Sequence, residues 1–250
     1  MDPRLLDRLA ADAWPPLVRR DLGGWQLRAA SGVTQRANSV LTSGPVADIG
    51  HAVGAAEAFA REQAIPPLFQ LGPATLPADL PERLAARGYA PQGRTEVLTG
   101  SAAEALAALP SSDAVVETAA EPGDEWLDLW WSVDGRGGAA EREVARRILT
   151  GCDASYALLR DERGAAACGR LAHATTPEGE RWSGLFALAT RPDARRRGHA
   201  SAIIRALLER ARGDRFWIQV LAGNAGARRL YASLGCRESS WYEYWRPAAD

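Results

Sequence analysis

Three consecutive arginines precede a glycine in the second half of the chain, where Arg195, Arg196 and Arg197 are followed by Gly198. Apolar residues at helical spacing begin at Ala200, which predicts that an α-helix starts at this turn. A helix N-terminus presents unpaired backbone N–H groups and the positive end of the helix dipole, so it binds anions. The arginines add positive charge, and the glycine permits close approach to the backbone. The pattern indicates a pyrophosphate-binding turn, with a solvated arginine run as the alternative.

An earlier turn carries the same Gly-His-Ala triplet without the basic residues. Gly50-His51-Ala52 corresponds to Gly198-His199-Ala200, and Ala47-Asp48-Ile49 stands where the second turn has its arginines. Asp48 is expected to repel a diphosphate that Arg196 would attract. The second turn also lacks the glycine and lysine spacing of the Walker and Rossmann nucleotide motifs. The sequence thus predicts a basic and a non-basic version of one shared strand–turn–helix unit.

The elements around the basic turn are predicted from apolar periodicity and from turn residues. Asn224 is a typical helix N-cap, and Gly235 is a typical helix stop. The second half is therefore predicted to contain helices at 124–131 and 140–150, two strands at 155–174 around a turn at 161–164, a strand at 181–190, a helix from Ala200, a strand at 215–222, a helix between Asn224 and Gly235, and a strand at 239–246.

The first half shows a similar order of elements. A hairpin is predicted at 24–30 and 35–41, followed by a helix at 48–63, a strand at 67–71, a helix at 79–89 and a strand at 93–99. Gly50, Gln70, Gly88 and Glu96 keep the order and nearly the spacing of the later set Gly198, Gln219, Gly235 and Glu243. This order predicts an internal duplication, with residues 101–114 as a small, polar linker.

Composition excludes several classes of protein. The 250 residues carry a net charge of −1 and 46% hydrophobic residues, which suits a globular protein and gives no case for a nucleic-acid or membrane partner. Cys152, Cys168 and Cys236 are widely spaced and have no metal-ligand pattern. They are predicted to be reduced thiols in a cytoplasmic protein without a metal. The N-terminus resembles no signal peptide, and no apolar run is long enough to span a membrane.

Two motifs in the second half resemble the GCN5-related N-acetyltransferase (GNAT) family. The family's acetyl-CoA motif, Arg/Gln-x-x-Gly-x-Gly/Ala, is matched by residues 195–200, which follow a strand end similar to the family's at 188–192. A later pattern, N-x-x-A-x-x-L-Y-x-x-L-G, is matched by residues 224–235. The resemblance covers roughly residues 155–246 well and the first half weakly. It implies a tandem α/β GNAT fold, with mixed, mostly antiparallel sheets flanked by helices.

The resemblance implies that residues 1–109 form a degenerate copy and residues 110–250 the catalytic copy. Tyr231 would protonate the leaving thiolate as a general acid, although its place on an apolar helix stripe also suits a packed core residue. Asn224 would hydrogen-bond near the pantetheine, or act only as a helix cap. Leu84 occupies the position of Tyr231 in the first half. The residues expected to bind acetyl-CoA are Leu188, Ala189, Thr190, Arg195, Arg196, Arg197, Gly198, His199, Ala200, Ser201 and Asn224.

This chain lacks a carboxylate at the positions where the family carries its general base. Where some members carry a glutamate before the asparagine, this chain has Gln219, and where others carry an earlier one it has Ser183 and Gly184. Amide and hydroxyl groups cannot accept a proton from an ammonium near neutral pH. The base is therefore a water chain or another carboxylate, for which the sequence offers, unranked, Glu125, Asp128, Asp134 and Glu243.

These expectations favour an enzyme that transfers an acetyl group from acetyl-CoA to an amine of a small molecule or peptide. A non-catalytic acyl-CoA sensor is the alternative, suggested by the missing family base, while the retained Tyr231 speaks for catalysis. Trp126, Trp130 and Trp131 stand where the family builds its acceptor-side helices, but their spacing favours a buried helix face. The sequence leaves a monomer and a homodimer open.

Overall fold

The structure, a computed structural model, describes residues 1–248. Within this range the α-helices are α1 (Pro3–Ala13), α2 (Ile49–Glu62), α3 (Leu80–Ala85), α4 (Ala102–Ala108), α5 (Asp124–Asp134), α6 (Ala139–Leu149), α7 (His199–Leu208) and α8 (Ala225–Ser233). The strands are β1 (Val18–Leu22), β2 (Trp25–Ala29), β3 (Val40–Leu41), β4 (Phe69–Leu71), β5 (Tyr89–Ser101), β6 (Val116–Ala119), β7 (Ala154–Asp161), β8 (Gly164–Thr175), β9 (Arg181–Thr190), β10 (Arg215–Leu221) and β11 (Arg237–Pro247).

The order of elements repeats along the chain. The first repeat runs β1-β2-β3-α2-β4-α3-β5, and the second runs β7-β8-β9-α7-β10-α8-β11. In each repeat the third and fourth strands are parallel and the other sequential neighbours are antiparallel. A parallel pair needs a crossover connection, which α2 supplies in one repeat and α7 in the other. The duplication predicted from the spacing of glycines is thus visible in the topology.

The two repeats exchange their last strands within one eleven-stranded sheet. The strand order is β1-β2-β3-β4-β11-β5-β10-β9-β8-β7-β6. Strand β5 of the first repeat lies beside β10 of the second, where Leu98 is opposite Ile218, and β11 lies beside β4, where Tyr244 is opposite Gln70. Strands β5 and β11 pair with each other at the centre. Each repeat therefore completes the sheet of the other, and the division at residue 109 stays a prediction.

Helices cover both faces of this sheet in the second repeat. Neighbouring residues of a strand point to opposite faces. Phe186 and Trp217 accordingly belong to a core under α1, α5 and α6, whereas Leu185 and Ile218 belong to a core under α4, α7 and α8. A third apolar cluster joins α2 and α3 to the strands of the first repeat. The predicted mixed α/β fold with mostly antiparallel strands is confirmed, although the two copies share one sheet and do not form separate sheets.

A buried arginine ties the N-terminal helix to the second repeat. Arg170 of β8 donates hydrogen bonds to the carbonyl of Ala13 at 2.8 Å and to the hydroxyl of Tyr156 at 3.3 Å. Its other Nη atom lies 2.9 Å from Cys152 Sγ. Because a buried guanidinium is costly without partners, these contacts fix the end of α1. They thereby position Trp14, the residue that follows the helix.

The predicted linker is partly helical. Ser101 caps α4 by accepting a hydrogen bond from the backbone N–H of Glu104 at 3.2 Å, and Ala105 and Leu109 are buried against the core under α7. The small residues of this segment predict a linker, but alanines pack closely and form helices readily. Within the predicted linker, only residues 109–114 lie outside helix and strand. Strand β1 and helix α1 were also not among the predicted elements.

Candidate active site

Helix α7 begins at an open, basic turn. Gly198 is its N-cap residue, with a φ of 81°, and no side chain caps the helix. The backbone N–H groups of His199, Ala200 and Ser201 have no acceptor within residues 1–248. A Cβ built on Gly198 would meet no atom within 4 Å. The turn therefore offers free donors and open space, as an anion-binding helix N-terminus requires.

The matching helix of the first repeat is closed to anions. Asp48 caps α2, and its carboxylate accepts a hydrogen bond from the backbone N–H of His51 at 2.6 Å. A Cβ built on Gly50 would lie 3.3 Å from that same carboxylate. The negative charge of Asp48 occupies the place that a phosphate would take at α7. This contrast gives a structural reason for the difference between the two turns.

Strands β9 and β10 separate beside the basic turn. They pair only from Trp182 to Leu185 on β9. Beyond that point Ala187 adopts a φ of 51°, and the pairing of β9 with β8 shifts register between Cys168 and Arg170. These features mark a β-bulge, which bends a strand and alters its pairing. Residues 186–190 are left with a free backbone edge, which can pair with an extended chain as an added strand would.

A cavity of about 520 Å³ extends from this free edge to the basic turn. Its wall includes Tyr231 and all but one of the residues expected to bind acetyl-CoA: Leu188, Ala189, Thr190, Arg195, Arg196, Gly198, His199, Ala200, Ser201 and Asn224. Arg197 is the exception, and its side chain is exposed. Arg195 and Arg196 thus supply positive charge to the end of the cavity beside the N-terminus of α7.

Asn224 serves as a helix cap at the wall of this cavity. Its side-chain oxygen accepts a hydrogen bond from the backbone N–H of Ala227 at 3.1 Å and so caps α8. The side-chain amide nitrogen makes no hydrogen bond within residues 1–248. The capping interpretation is confirmed. Contact of the free amide nitrogen with a pantetheine arm stays a prediction.

Tyr231 combines a buried ring with an unbonded hydroxyl. The residue is 8% exposed, and its ring packs in the core under α7 and α8. Within the described part of the chain its hydroxyl makes no hydrogen bond. Burial raises the pKa of the phenol to about 12, with a smaller contribution from Cys236. The hydroxyl therefore keeps its proton at neutral pH and is available as a donor.

A second cavity, of about 610 Å³, lies on the other side of Tyr231. The first half of the chain contributes Trp14, Thr34, Gln35, Arg36 and Thr95 to its wall, and the second half contributes Trp130, Asp134, Arg136, residues 185–188 and 218–221, Tyr242 and Tyr244. The two cavities share Asp134, Leu188, Asn224, Ala227 and Tyr231. A group held in one cavity can therefore meet a group held in the other beside the tyrosine.

Comparison with known proteins decides the family. The family described as "Probable histone acetyltransferase Rv0428c C-terminal" matches residues 2–245. The chain belongs to this acetyltransferase family. It is 27% identical to "Uncharacterized N-acetyltransferase YobR" of Bacillus subtilis (strain 168), across 97% of this chain and 98% of that protein. The GNAT resemblance is confirmed, and acetyltransferase activity in general is supported by these matches.

Solved structures of GNAT proteins share the fold. A GCN5-related N-acetyltransferase from Kribbella flavida aligns with a TM-score of 0.62 and 17% identity, covering 98% of this chain and 96% of that one. A tandem GNAT protein from the clavulanic acid biosynthesis pathway aligns with a TM-score of 0.61 and 14% identity, covering 98% and 88%. At these identities the likeness concerns the fold alone.

The carboxylates that this GNAT chain offers as bases differ in position. Asp134, the last residue of α5, lines both cavities, whereas Glu125, Asp128 and Glu243 line neither. Glu125 and Asp128 instead form ion pairs with neighbouring arginines. Desolvation by the surrounding protein raises the pKa of Asp134, although the residue is exposed at the surface, and nearby arginines oppose this effect. The geometry therefore ranks Asp134 first among candidates that the sequence left unranked.

The structure also shows the surroundings of Gln219 and of the tryptophans on α5. Gln219 lines the second cavity, and its side-chain oxygen accepts a hydrogen bond from the Tyr242 hydroxyl at 3.4 Å. Trp126 and Trp130 are buried, as their spacing favours, and the indole N–H of Trp126 donates to two backbone carbonyls. Trp130 nevertheless forms part of the cavity wall.

Arg36 and Trp14 were missed by sequence reasoning. Both come from the first half, and neither belongs to a motif or a periodic stretch that signals a site.

Within residues 1–248, no group of three His, Cys, Asp or Glu side chains is placed to hold a metal ion. The helices of the same range include none with the length and apolar character needed to cross a membrane.

Proposed function

We propose that this protein transfers the acetyl group of acetyl-CoA to a primary amine by direct transfer. One observation carries the proposal: a cavity with a basic helix N-terminus and a cavity lined by both repeats meet at Tyr231. The family and the relative's name support acetyl transfer in general. The arrangement of the cavities adds a place for each of the two substrates.

The first cavity suits the acyl-CoA. The free N–H groups of α7, with Arg195 and Arg196, match the negative charge of a pyrophosphate. The free backbone edge of residues 186–190 matches the amide groups of a pantetheine arm. Acetyl-CoA bound there supplies the acetyl group as a thioester. The capped helix α2 leaves the first repeat without an equivalent site.

Two side chains at the junction move protons. Asp134 accepts the proton that the ammonium of the acceptor loses, either directly or through a water molecule. Tyr231 donates its phenolic proton to the thiolate as the thiolate leaves. A general base must be ionised and a general acid protonated before reaction. The raised pKa of Asp134 makes its carboxylate a stronger base, and the pKa of about 12 keeps Tyr231 protonated at neutral pH.

Asp134→Asn is expected to lower kcat/KM by about 10²-fold, the lower end for the loss of a general base. In the wild type, activity should fall as the pH decreases through the pKa of Asp134, because protonation removes the base. Burial places that pKa above the ordinary value of about 3.9 for an aspartate. The variant should lose this acid limb of the pH–rate profile.

Asp128→Asn is the matched control, because Asp128 lies on the same helix, pairs with Arg142 and lines neither cavity. It should keep the wild-type pH–rate profile. The melting temperature of Asp134→Asn should not fall, because the burial that raises the pKa of this carboxyl disfavours its charged form in the folded state. An unchanged acid limb in Asp134→Asn would assign the base elsewhere.

The proposed activity is tested by measuring CoA release from acetyl-CoA with a panel of amines. The panel includes amino acids, polyamines and a lysine-containing peptide, since the description of the family names a histone acetyltransferase. Amine-dependent CoA release with at least one member supports the proposal. Tight acetyl-CoA binding without amine-dependent release from any member would favour the sensor.

A further inference from the structure

Arg36 is held in the wall of the second cavity by aromatic rings. It lies in the loop between β2 and β3 of the first repeat. Its guanidinium carbon is 5.4 Å from the ring centroid of Trp14 and 5.6 Å from that of Phe186. Its Nε donates a long hydrogen bond, at 3.5 Å, to the hydroxyl of Tyr242. Stacking on aromatic faces fixes the plane of a guanidinium while leaving its edge free.

The edge of this guanidinium has no anionic partner in the protein. Within residues 1–248, Arg36 forms no ion pair, and its two Nη atoms donate no hydrogen bond. Asp134 lies in the same cavity wall but not within ion-pair distance of Arg36. Arg136, also in the wall, donates to the carbonyl groups at the end of α5. Within the described residues, Arg36 is therefore the half-buried arginine of this wall with both Nη atoms free, whereas Arg136 is exposed and keeps one Nη atom free.

A partly desolvated guanidinium without a partner is costly, since charged groups taken from water need compensating hydrogen bonds. Its parallel N–H donors match the two oxygens of a carboxylate. A second cationic group would be repelled from this end of the cavity. A dianionic phosphate would in turn be repelled by Asp134 more strongly than a carboxylate would be. A single negative charge fits best.

We propose that the acceptor amine carries a carboxylate, and that Arg36 binds this carboxylate. The amino group then lies at the Asp134 and Tyr231 end of the cavity. This inference rests on the proposed function, because it assigns the second cavity to the acceptor. It also assigns a functional role to the first repeat. The repeat whose own turn is closed by Asp48 supplies the side chain that selects the acceptor for the other repeat.

The test is equilibrium binding in the presence of saturating CoA, measured by calorimetry without acetyl transfer. The probes are ω-amino acids from 3-aminopropanoate to 6-aminohexanoate, each compared with its neutral amide. A series of lengths is needed because the acceptor's spacing is not fixed by the wall. At least one acid should bind the wild type about tenfold or more tightly than its amide, as expected for a charge-assisted pair.

Arg36→Gln should abolish this preference, and Arg36→Lys should retain part of it. Arg61→Gln is the control, because Arg61 is an exposed arginine of the same repeat outside both cavities. The comparison of acid with amide in the wild type needs no variant, so it holds even if a variant fails to fold.

Equal binding of every acid and its amide, or a preference that survives in Arg36→Gln, would overturn the inference. Tighter binding of 2-aminoethyl phosphate than of any acid, or of a lysine-rich peptide, would also overturn it. Failure of the proposed function is distinguishable. Acid-selective binding without CoA release in the amine panel refutes acetyl transfer but supports the role of Arg36. CoA release at similar rates from amines with and without a carboxylate supports acetyl transfer but refutes the role of Arg36.

Discussion

Tyr231→Phe is expected to lower kcat by about 10²–10⁴-fold, the usual contribution of a general acid. The change keeps the buried ring and removes only the phenolic proton at the junction of the two cavities. Because the hydroxyl makes no hydrogen bond within the described chain, the melting temperature should barely change. The affinity for acetyl-CoA, measured by calorimetry, should also stay near the wild-type value.

Tyr89→Phe is a matched control for this prediction. The hydroxyl of the buried Tyr89 donates a hydrogen bond to the carboxylate of Glu57 at 3.1 Å and lies outside both cavities. Its loss should cost about 1 kcal/mol of unfolding free energy and leave kcat nearly unchanged. A wild-type rate in Tyr231→Phe, with a good acceptor, would mean that Tyr231 is only a packed core residue.

Removal of the first 109 residues is expected to abolish folding of the second repeat. The fragment 110–250 lacks β5, which lies between β10 and β11 and pairs with both over most of its length. Its loss separates β11 from the rest of the sheet and exposes the edge of β10. Unpaired edges and uncovered apolar surface cause aggregation. The fragment should be insoluble or lack cooperative thermal unfolding by circular dichroism.

The fragment 89–250 is the informative comparison, because it retains β5 and α4. It should be more soluble than 110–250, since the order β11-β5-β10 is restored. It should still lack amine selectivity and most activity, because Trp14 and Arg36 are missing from the acceptor wall. A soluble, monomeric and fully active 110–250 fragment would show that the first repeat is dispensable.

Local elements followed from the sequence because their signals are local. Strand β9 spans the predicted residues 181–190, and α7 begins one residue before the predicted start at Ala200. Turn residues and apolar periodicity act over a few positions, so they are legible in one sequence. The basic turn, the cap at Asn224 and the contrast with Asp48 belong to this class.

The exchange of β5 and β11 could not be predicted in this way. The alternation of side chains in β5 indicates which residues face the core, but it does not indicate which strand lies beside β5. Arg36 was missed for a related reason. It is one arginine in a polar loop, and only the distant packing of Trp14 and Phe186 brings it to the cavity. Asp134 differs from the other candidate bases only in its position, at the end of α5 where the two cavities meet.

Calorimetric titration with acetyl-CoA tests the central claim, that one open and one closed version of the same turn share this chain. We expect one site per chain. Gly198→Ala should weaken binding by placing a methyl group at the phosphate approach. Gly88→Ala should leave the Kd unchanged. Gly88 is a suitable control because it has the same φ of 81° and the same empty surroundings, so both variants strain the backbone alike. A stoichiometry of two, or unchanged affinity in Gly198→Ala, would contradict the account.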